Sequence, residues 1–377
     1  MLLVAVFLVT RGHGVSVSHG GKNSKTRENE KIATCGRFWY NAAEVRIMSN
    51  VTYLETGSTD PAYNLAFEEY VLTHRTQGDY LLLWQNDNTI VVGQNQNTAQ
   101  EIDPAFVKEH HITVVRRGTG GGAVYHDLGN LNYSFITDTG AAERLTMDRF
   151  TRPIVEALQN LGLNAEASGR NDILVEGRKV SGTAQRLVHG RILHHGTLLF
   201  DSRPEMIAGA LRVDQAKFTS KSAKSVKSRI GNIREFLPVD MTLPEFWEYL
   251  KRQLAGTGLV QSALTADELA QVSRLADEKY RAWEWTYGRS PKFDMVKRNY
   301  FTGGRLEVGV SVDHGSITEI RFYGDFLSLT DTTPLCRALE GVAYREDAVA
   351  AVLDSQPMAE MFGGITRDEV LRTIFNQ

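Results

Sequence analysis

The spacing of apolar residues after Asp60 is helical. Pro61 follows this potential N-cap residue, and Ala62, Leu65 and Val71 then recur at helical spacing. The pattern predicts a helix over residues 61–74. The same reasoning predicts a short helix after Asp103-Pro104 and longer ones over residues 147–161, 243–254, 266–276, 345–353 and 367–375.

Other segments are short apolar runs or alternate apolar with polar residues, as strands do. Three pairs of them predict hairpins: residues 80–85 with 89–93, residues 173–175 with 179–186, and residues 306–312 with 317–322. Further strands are predicted over residues 112–116, 131–136 and 192–200. Because the repeating strand-helix-strand rhythm of a parallel sheet is missing, the predicted fold class is α+β with a mixed, largely antiparallel sheet.

Regular patterns begin only after Met48. We therefore place residues 1–47 outside the fold and expect a domain over residues 48–262 and a smaller α+β domain over residues 263–377. The apolar run of residues 1–10 is too short to span a bilayer, which takes about 20 residues. A signal peptide, a transit peptide and a mis-assigned start codon all remain open, and we favour the last.

Charge and cysteine content narrow the class of protein. The chain of 377 residues carries 42 Lys and Arg against 45 Asp and Glu, a net charge of −3, so no overall basic field indicates nucleic acid or an anionic membrane as a partner. Only two cysteines are present, Cys35 and Cys336. They cannot build a disulfide framework and lack the spacing of metal ligands.

A glycine-rich segment carries the strongest chemical signal. Arg116-Arg117 precedes Gly118-Thr119-Gly120-Gly121-Gly122-Ala123, which formally fits the dinucleotide fingerprint, but the pattern of residues 124–136 predicts extended chain rather than a helix. No lysine follows the glycines, so the P-loop pattern is also absent. Glycines without Cβ let backbone amides approach a phosphate, and Arg117 has a forked donor. The alternative is a glycine-rich turn whose arginines face solvent.

Two further segments are candidates. Lys179 begins a strand after a tight turn, where its ammonium could be aimed at a fixed point, and Asp172 could hold a magnesium ion or cap a turn. His194 and His195 are expected on opposite faces of one strand, so a shared metal is not expected; they and His126 are interpreted as structural or pocket-lining. Neither cysteine lies near these motifs, and no acid-histidine pair accompanies Ser181.

A basic stretch lies between residues 215 and 234. It contains Lys221, Lys224, Lys227 and Arg229 among serines and has no acidic residue from 216 to 234. It is either a solvated loop or a cationic flap that closes over an anionic ligand.

Together these motifs resemble the lipoate-protein ligase A family. The resemblance rests on Arg116-Arg117 with the glycines and Ala-Val-Tyr-His-Asp-Leu-Gly-Asn after them, then Gly169-Arg-Asn-Asp, Lys179-Val-Ser-Gly-Thr-Ala, His194-His-Gly-Thr-Leu-Leu and Ser225-Val-Lys-Ser-Arg. It runs from about Met48 to the end of the chain and implies a catalytic domain of the biotin/lipoate ligase type with a C-terminal accessory domain. Gly93-Gln94-Asn95-Gln96 departs from it, because many members carry Arg after the glycine.

The resemblance implies an enzyme that activates lipoate with ATP and Mg²⁺ and passes the lipoyl group to a lysine of lipoyl domains. The acceptors would be E2 subunits of 2-oxoacid dehydrogenases and the glycine-cleavage H protein. The residues that the resemblance assigns to ATP are Arg117, Gly122, Ala123, Val124, Tyr125 and Lys179; those for lipoate are Lys179, Gly120, Gly121 and His126; Lys179 is the catalytic residue, Asp172 the magnesium ligand, and residues 221–229 the flap.

Three other functions stay open. They are an ATP-independent lipoyl or octanoyl transferase acting through a cysteine thioester, a noncatalytic lipoyl-domain binder, and a biotin-type ligase. The accessory domain and the start favoured at Met48 lead us to expect a cytoplasmic protein, and the net charge leads us to expect no nucleic-acid or membrane partner. We also expect a monomer, while the choice between lipoate and octanoate is left open.

Overall fold

The computed structural model describes residues 51–139, 147–211, 229–255, 258–288 and 293–375. The strands are β1 (Val51–Glu55), β2 (Asp79–Trp84), β3 (Thr89–Val92), β4 (Thr113–Arg116), β5 (Val124–His126), β6 (Asn130–Asp138), β7 (Ala165–Ser168), β8 (Asp172–Val175), β9 (Arg178–Val188), β10 (Arg191–Leu199), β11 (Val260–Gln261), β12 (Met295–Phe301), β13 (Gly304–Asp313) and β14 (Ser316–Gly324). The helices are α1 (Pro61–His74), α2 (Thr98–Glu101), α3 (Pro104–Glu109), α4 (Met147–Asn160), α5 (Pro204–Ala210), α6 (Leu243–Ala255), α7 (Ala266–Leu275), α8 (Trp283–Thr286), α9 (Thr333–Leu339), α10 (Glu346–Asp354), α11 (Met358–Phe362) and α12 (Arg367–Phe375).

An eight-stranded mixed sheet organises the first part of the chain. Its strand order is β11-β1-β2-β6-β10-β9-β8-β7, and only the β1 pairings with β2 and β11 are parallel. Alternate residues of β2 face opposite layers: Leu81 and Leu83 pack with α4 and α6, and Leu82 and Trp84 pack with α1. The predicted α+β class with a mainly antiparallel sheet is confirmed.

The predicted hairpin of residues 80–93 is wrong. β2 pairs with β1 and β6, whereas β3 belongs to a separate sheet of order β4-β3-β5. The connecting residues bond to other parts of the fold: Asn86 is buried against Asn64, and Asn88, at φ 41°, donates to the carbonyl oxygens of His110 and His111. These tertiary contacts carry β3 away from β2.

A second core follows residue 293. The antiparallel sheet β12-β13-β14 packs against α9, α10, α11 and α12, and the hairpin predicted around Asp313-His314-Gly315 is confirmed. Before it, Leu264, Val272 and Tyr280 share the core of α1, so α7 and the π-helical turn Ala276–Tyr280 pack on the first sheet. They lie beyond residue 262, where the sequence predicts the catalytic domain to end; that boundary stays a prediction.

Residues 324–329 connect the second core to the first part of the chain. The amide of Gly324 donates to the Asn95 carbonyl at 2.8 Å, and the amide of Leu187 donates to the Leu329 carbonyl at 2.8 Å. A buried ion pair joins Arg305 to Glu101. Within the described residues, no helix has the length and apolar content needed to cross a bilayer.

Candidate functional site

A cavity lies between the large sheet and the small β4-β3-β5 sheet. Its empty space is about 610 Å³, including its opening to solvent. Leu65, Trp84 and Val91 give it an apolar side. Six of the residues predicted for the site line it: Arg117, Gly122, Ala123, Val124, His126 and Lys179. A pocket of this size with an apolar wall and a few charged groups suits a small amphiphilic ligand.

The β8-β9 hairpin aims Lys179 into this cavity. Glu176 and Gly177 form the turn with positive φ angles of 50° and 73°. A bulge then shifts the register, because Ile173 pairs with Ser181 while Leu174 pairs with Lys179, leaving buried Val180 as the extra residue. The bulge brings Lys179 to the same side as Gly182, where a Cβ atom would lie only 3.2 Å from Lys179 Nζ.

Asp172 is the partner of Lys179. The ammonium nitrogen lies 2.7 Å from Asp172 Oδ1, and both side chains are about one-third exposed, so ligands can reach them. The backbone of Lys179 is also held, because its carbonyl accepts from the amide of Gly231 at 2.9 Å. Exposed Arg229 therefore lies two residues from this contact. Lys221, Lys224 and Lys227 lie outside the described residues.

The two adjacent arginines have different surroundings. Arg116 is fully buried and its guanidinium donates to the carbonyl oxygens of Gly93, Gln94 and Gln96 and of the segment 285–286. Arg117 holds its own loop: Nη2 donates to the carbonyl oxygens of Gly120 at 2.6 Å and Gly122 at 2.8 Å. Burial lowers the pKa of Arg117 to about 10, which leaves it a cation at neutral pH.

The three consecutive glycines, Gly120, Gly121 and Gly122, have different surroundings. Gly121 has φ 88° and donates its amide to the Phe326 carbonyl at 3.0 Å. A Cβ on Gly120 would lie 2.7 Å from the same carbonyl oxygen, whereas a Cβ on Gly122 would meet nothing within 4 Å. Gly120 and Gly121, predicted to bind lipoate, thus pack against the C-terminal core, and only Gly122 of the three lines the cavity. Their ligand roles stay predictions.

Tyr125 also points away from the cavity. Its ring is buried, and its hydroxyl donates to Asn88 Oδ1 at 2.9 Å and accepts from Arg203. Only its backbone remains a candidate for contact with a nucleotide, and that assignment stays a prediction.

Of the three histidines predicted to be structural or pocket-lining, His126 and His195 line the cavity and His194 lies in the core. His126 accepts a hydrogen bond at Nδ1 from Asn86 at 3.1 Å, and burial, with the charge of Arg117, lowers its pKa to about 3. His194 stacks on Phe150 in the core, and burial lowers its pKa to about 3 as well. His195 lines the cavity instead. The expectation that His194 and His195 face opposite sides of one strand is confirmed.

Sequence reasoning missed Glu68. Its carboxylate, buried beneath the cavity, lies 2.9 Å from His195 Nδ1 and accepts from Ser134 Oγ at 2.6 Å. A usable signal was present, because Asn64 and Glu68 are polar, four residues apart and thus on one face of a helix that is otherwise apolar there.

A magnesium ion fits the site only together with phosphates. Among the described residues, no group of three or more His, Cys, Asp or Glu side chains could hold a metal ion. Asp172 offers a single partly exposed carboxylate beside the cavity. Mg²⁺ is often held by one or two carboxylates plus substrate phosphates and water, so this donor set is compatible with it.

Comparison with known proteins identifies the family. The lipoyl protein ligase A/B catalytic domain matches residues 60–255, and the bacterial lipoate protein ligase C-terminus matches residues 290–374. Lipoate-protein ligase LplJ of Bacillus subtilis is 42% identical over 321 residues, which cover 84% of this chain and 97% of LplJ.

Solved structures show that the fold of this chain is shared with proteins that bind lipoate or ATP. Plasmodium falciparum LipL1 in complex with lipoate superposes with a TM-score of 0.73 at 23% identity, covering 87% of this chain and all of LipL1. A lipoate-protein ligase A bound with ATP has a TM-score of 0.55 at 26% identity, covering 64% of this chain and 99% of that protein. From both the sequence and the fold, the chain belongs to the lipoate-protein ligase family.

Proposed function

We propose that this protein activates lipoate with ATP to lipoyl-adenylate and transfers the lipoyl group to a lysine of a lipoyl domain. The observation that carries the proposal is the cavity in which the apolar side chains of Leu65, Trp84 and Val91 accompany the cation of Lys179. Lipoate has an apolar chain ending in a carboxylate, and the two ends need these two environments.

In the first step, a carboxylate oxygen of lipoate attacks the α-phosphorus of ATP, and pyrophosphate leaves. Two anions must approach each other, so the Lys179 ammonium lowers the barrier by binding oxygens of both. Its position beside Asp172 and over Gly182 supports this role. Gly122 and Ala123 line the same cavity and leave room for phosphate oxygens. Bound magnesium would neutralise phosphate charge, with Asp172 as its protein ligand.

In the second step, the acceptor amine attacks the acyl carbon of the adenylate. An amide bond forms, AMP leaves, and the amine loses a proton. The acceptors we propose are E2 subunits of 2-oxoacid dehydrogenases and the glycine-cleavage H protein. The resemblance of this chain to ligases of the same family supports that choice.

The burial of Cys336 argues against a thioester route through this residue, and Cys35 lies outside the described residues. Cys336 lies in the C-terminal core, only 1% exposed, and burial raises its pKa to about 11. A thiol in that state is a poor nucleophile at neutral pH. It also does not line the cavity that contains Lys179.

The test is pyrophosphate release from MgATP with lipoate, octanoate or biotin, each as the only acyl substrate. We expect release with lipoate and, after addition of an apo lipoyl domain, acylation of its lysine detected by mass spectrometry. Acylation from an octanoyl carrier protein without ATP would establish the transferase alternative. Release with biotin alone would overturn the proposed substrate, and binding of lipoyl domains without any acylation would overturn the proposed enzyme.

A further inference from the structure

A chain of buried polar side chains connects α1 to the glycine-rich loop. Arg117 Nε donates to Thr119 Oγ1 at 2.9 Å, and Thr119 Oγ1 lies 2.9 Å from His195 Nε2. His195 Nδ1 in turn lies 2.9 Å and 3.1 Å from the two carboxylate oxygens of Glu68. All four side chains belong to residues less than 9% exposed.

The chemistry of the two ends fixes the direction of the first and the last of these bonds. Arg117 can only donate, and the carboxylate of Glu68 can only accept. Thr119 therefore accepts from Arg117, and His195 donates from Nδ1 to the carboxylate of Glu68. The hydroxyl hydrogen of Thr119 is then available for donation to His195 Nε2. Each donor and acceptor in this arrangement is satisfied.

A second branch ends on the same carboxylate. Trp84 Nε1 donates to Ser134 Oγ at 2.9 Å, and Ser134 Oγ donates to Glu68 Oε1 at 2.6 Å. Trp84 and His195 both line the cavity. Glu68 therefore holds Trp84 and His195 in the wall of the cavity. Through His195 and Thr119 it is also connected to Arg117, which donates to the carbonyl oxygens of Gly120 and Gly122.

We propose that Glu68, acting through His195 and Thr119, is a positioning residue that orients Arg117 and with it the glycine-rich loop for nucleotide binding. The inference rests on the proposed function only in taking that loop as the nucleotide site. Buried hydrogen bonds in series fix side-chain orientation more tightly than isolated ones, and losing one leaves its partner unsatisfied. Disrupting the chain should therefore weaken ATP binding more than it weakens folding.

The decisive variant is Thr119→Val, which removes the hydroxyl and nearly keeps the shape. We expect the KM for ATP to rise about tenfold or more, the cost of leaving a buried donor and acceptor unpaired, with a smaller change in the KM for lipoate. Thr119→Ser keeps the hydroxyl and should restore the wild-type value. The matched control is Thr151→Val on α4, where the buried hydroxyl bonds only to the Met147 carbonyl of its own helix.

A second measurement does not depend on activity. Nitrogen chemical shifts of His195, assigned by comparison with His195→Gln, report which ring nitrogen carries the proton. We expect Nδ1–H in the wild type, and a shift toward Nε2–H in Glu68→Gln, whose amide can donate to Nδ1. An Nε2–H tautomer in the wild type would overturn the inference.

The outcomes separate the two proposals. An unchanged KM for ATP in Thr119→Val, with only a lower melting temperature, would show that this series of hydrogen bonds supports folding alone, and would overturn the inference. Failure of the wild type to release pyrophosphate with any acyl substrate would instead overturn the proposed function. In that case the tautomer and the direct affinity for ATP, measured by calorimetry, still test the positioning role.

Discussion

Replacing His194 with Gln should make the protein less sensitive to acid. His194 is fully buried, stacks on Phe150 with ring centroids 5.0 Å apart, and accepts at Nδ1 from Gln185. Burial lowers its pKa to about 3 in the folded state. In the unfolded chain a histidine titrates near pH 6.5. Between these values the unfolded state binds a proton that the folded state does not.

The sign and size of the effect follow from this difference. The contribution of neutral His194 to the free energy of unfolding is complete above about pH 6.5. It is lost as the pH falls toward 3, because in this range protons bind to the histidine of the unfolded chain and not to that of the folded protein. The slope approaches about 1.4 kcal/mol per pH unit for each such group. From pH 7 to pH 5, His194 alone removes about 2 kcal/mol from the free energy of unfolding. His126, with a pKa also lowered to about 3, removes a similar amount.

The assay is urea unfolding followed by tryptophan fluorescence at pH 5, 6 and 7. His194→Gln keeps an acceptor for Gln185 but cannot be protonated. It should lose about 2 kcal/mol less than the wild type between pH 7 and pH 5, and the double variant with His126→Gln about 4 kcal/mol less. Each protein is compared with itself at pH 7, so the lost stacking on Phe150 cancels. Equal losses in wild type and His194→Gln would show that folded His194 accepts a proton and would refute the reasoning.

Other substitutions test the site and the loop. Lys179→Ala should lower the rate of adenylate formation on the order of 10²–10³-fold while leaving the urea midpoint of unfolding nearly unchanged. The rate of lipoyl transfer from preformed lipoyl-adenylate shows which of the two steps is affected. A normal rate of adenylate formation would exclude Lys179 as the catalytic residue. Arg116→Met should lower the free energy of unfolding by about 3 kcal/mol or more, because several buried carbonyl oxygens lose their donor; a stability close to that of the wild type would contradict this. Gly120→Ala should lower the free energy of unfolding by about 1–3 kcal/mol, because its Cβ would press on the Phe326 carbonyl. Gly122→Ala has open space around its Cβ and should leave the free energy of unfolding unchanged. Equal effects of the two substitutions in unfolding experiments would argue against the contact with Phe326.

Elements with local signals could be predicted from the sequence. Asp60 caps α1 through a bond from the Ala62 amide at 3.0 Å, and Glu176-Gly177 makes the turn that pairs β8 with β9. Both signals lie within a few residues of the structure they cause. Lys179 could be chosen for the same reason, although the bulge at Val180 that aims it is not visible in the pattern.

What the sequence could not show depends on contacts distant along the chain. Asn86 looks like a turn residue, yet it is buried against Asn64 and His126. Gly120 looks like part of a phosphate cradle, yet the reason for its missing side chain lies at Phe326, in the C-terminal core. No local pattern joins positions so far apart, and although the spacing of Asn64 and Glu68 marks a polar face of α1, it does not show that this face meets His195.

The mode of binding of Arg116 has an evolutionary consequence. Its guanidinium binds the segment after β3 through the main-chain oxygens of Gly93, Gln94 and Gln96. Carbonyl groups are the same whatever side chain follows, so a substitution at Gln94 leaves these bonds in place, whereas one at Gln96 removes the side-chain oxygen that accepts from the Gly93 amide at 2.8 Å. The departure of this segment from the pattern of many ligases therefore need not disturb its path. Position 94 can therefore vary in evolution while Arg116 keeps the main chain of the segment in the same conformation.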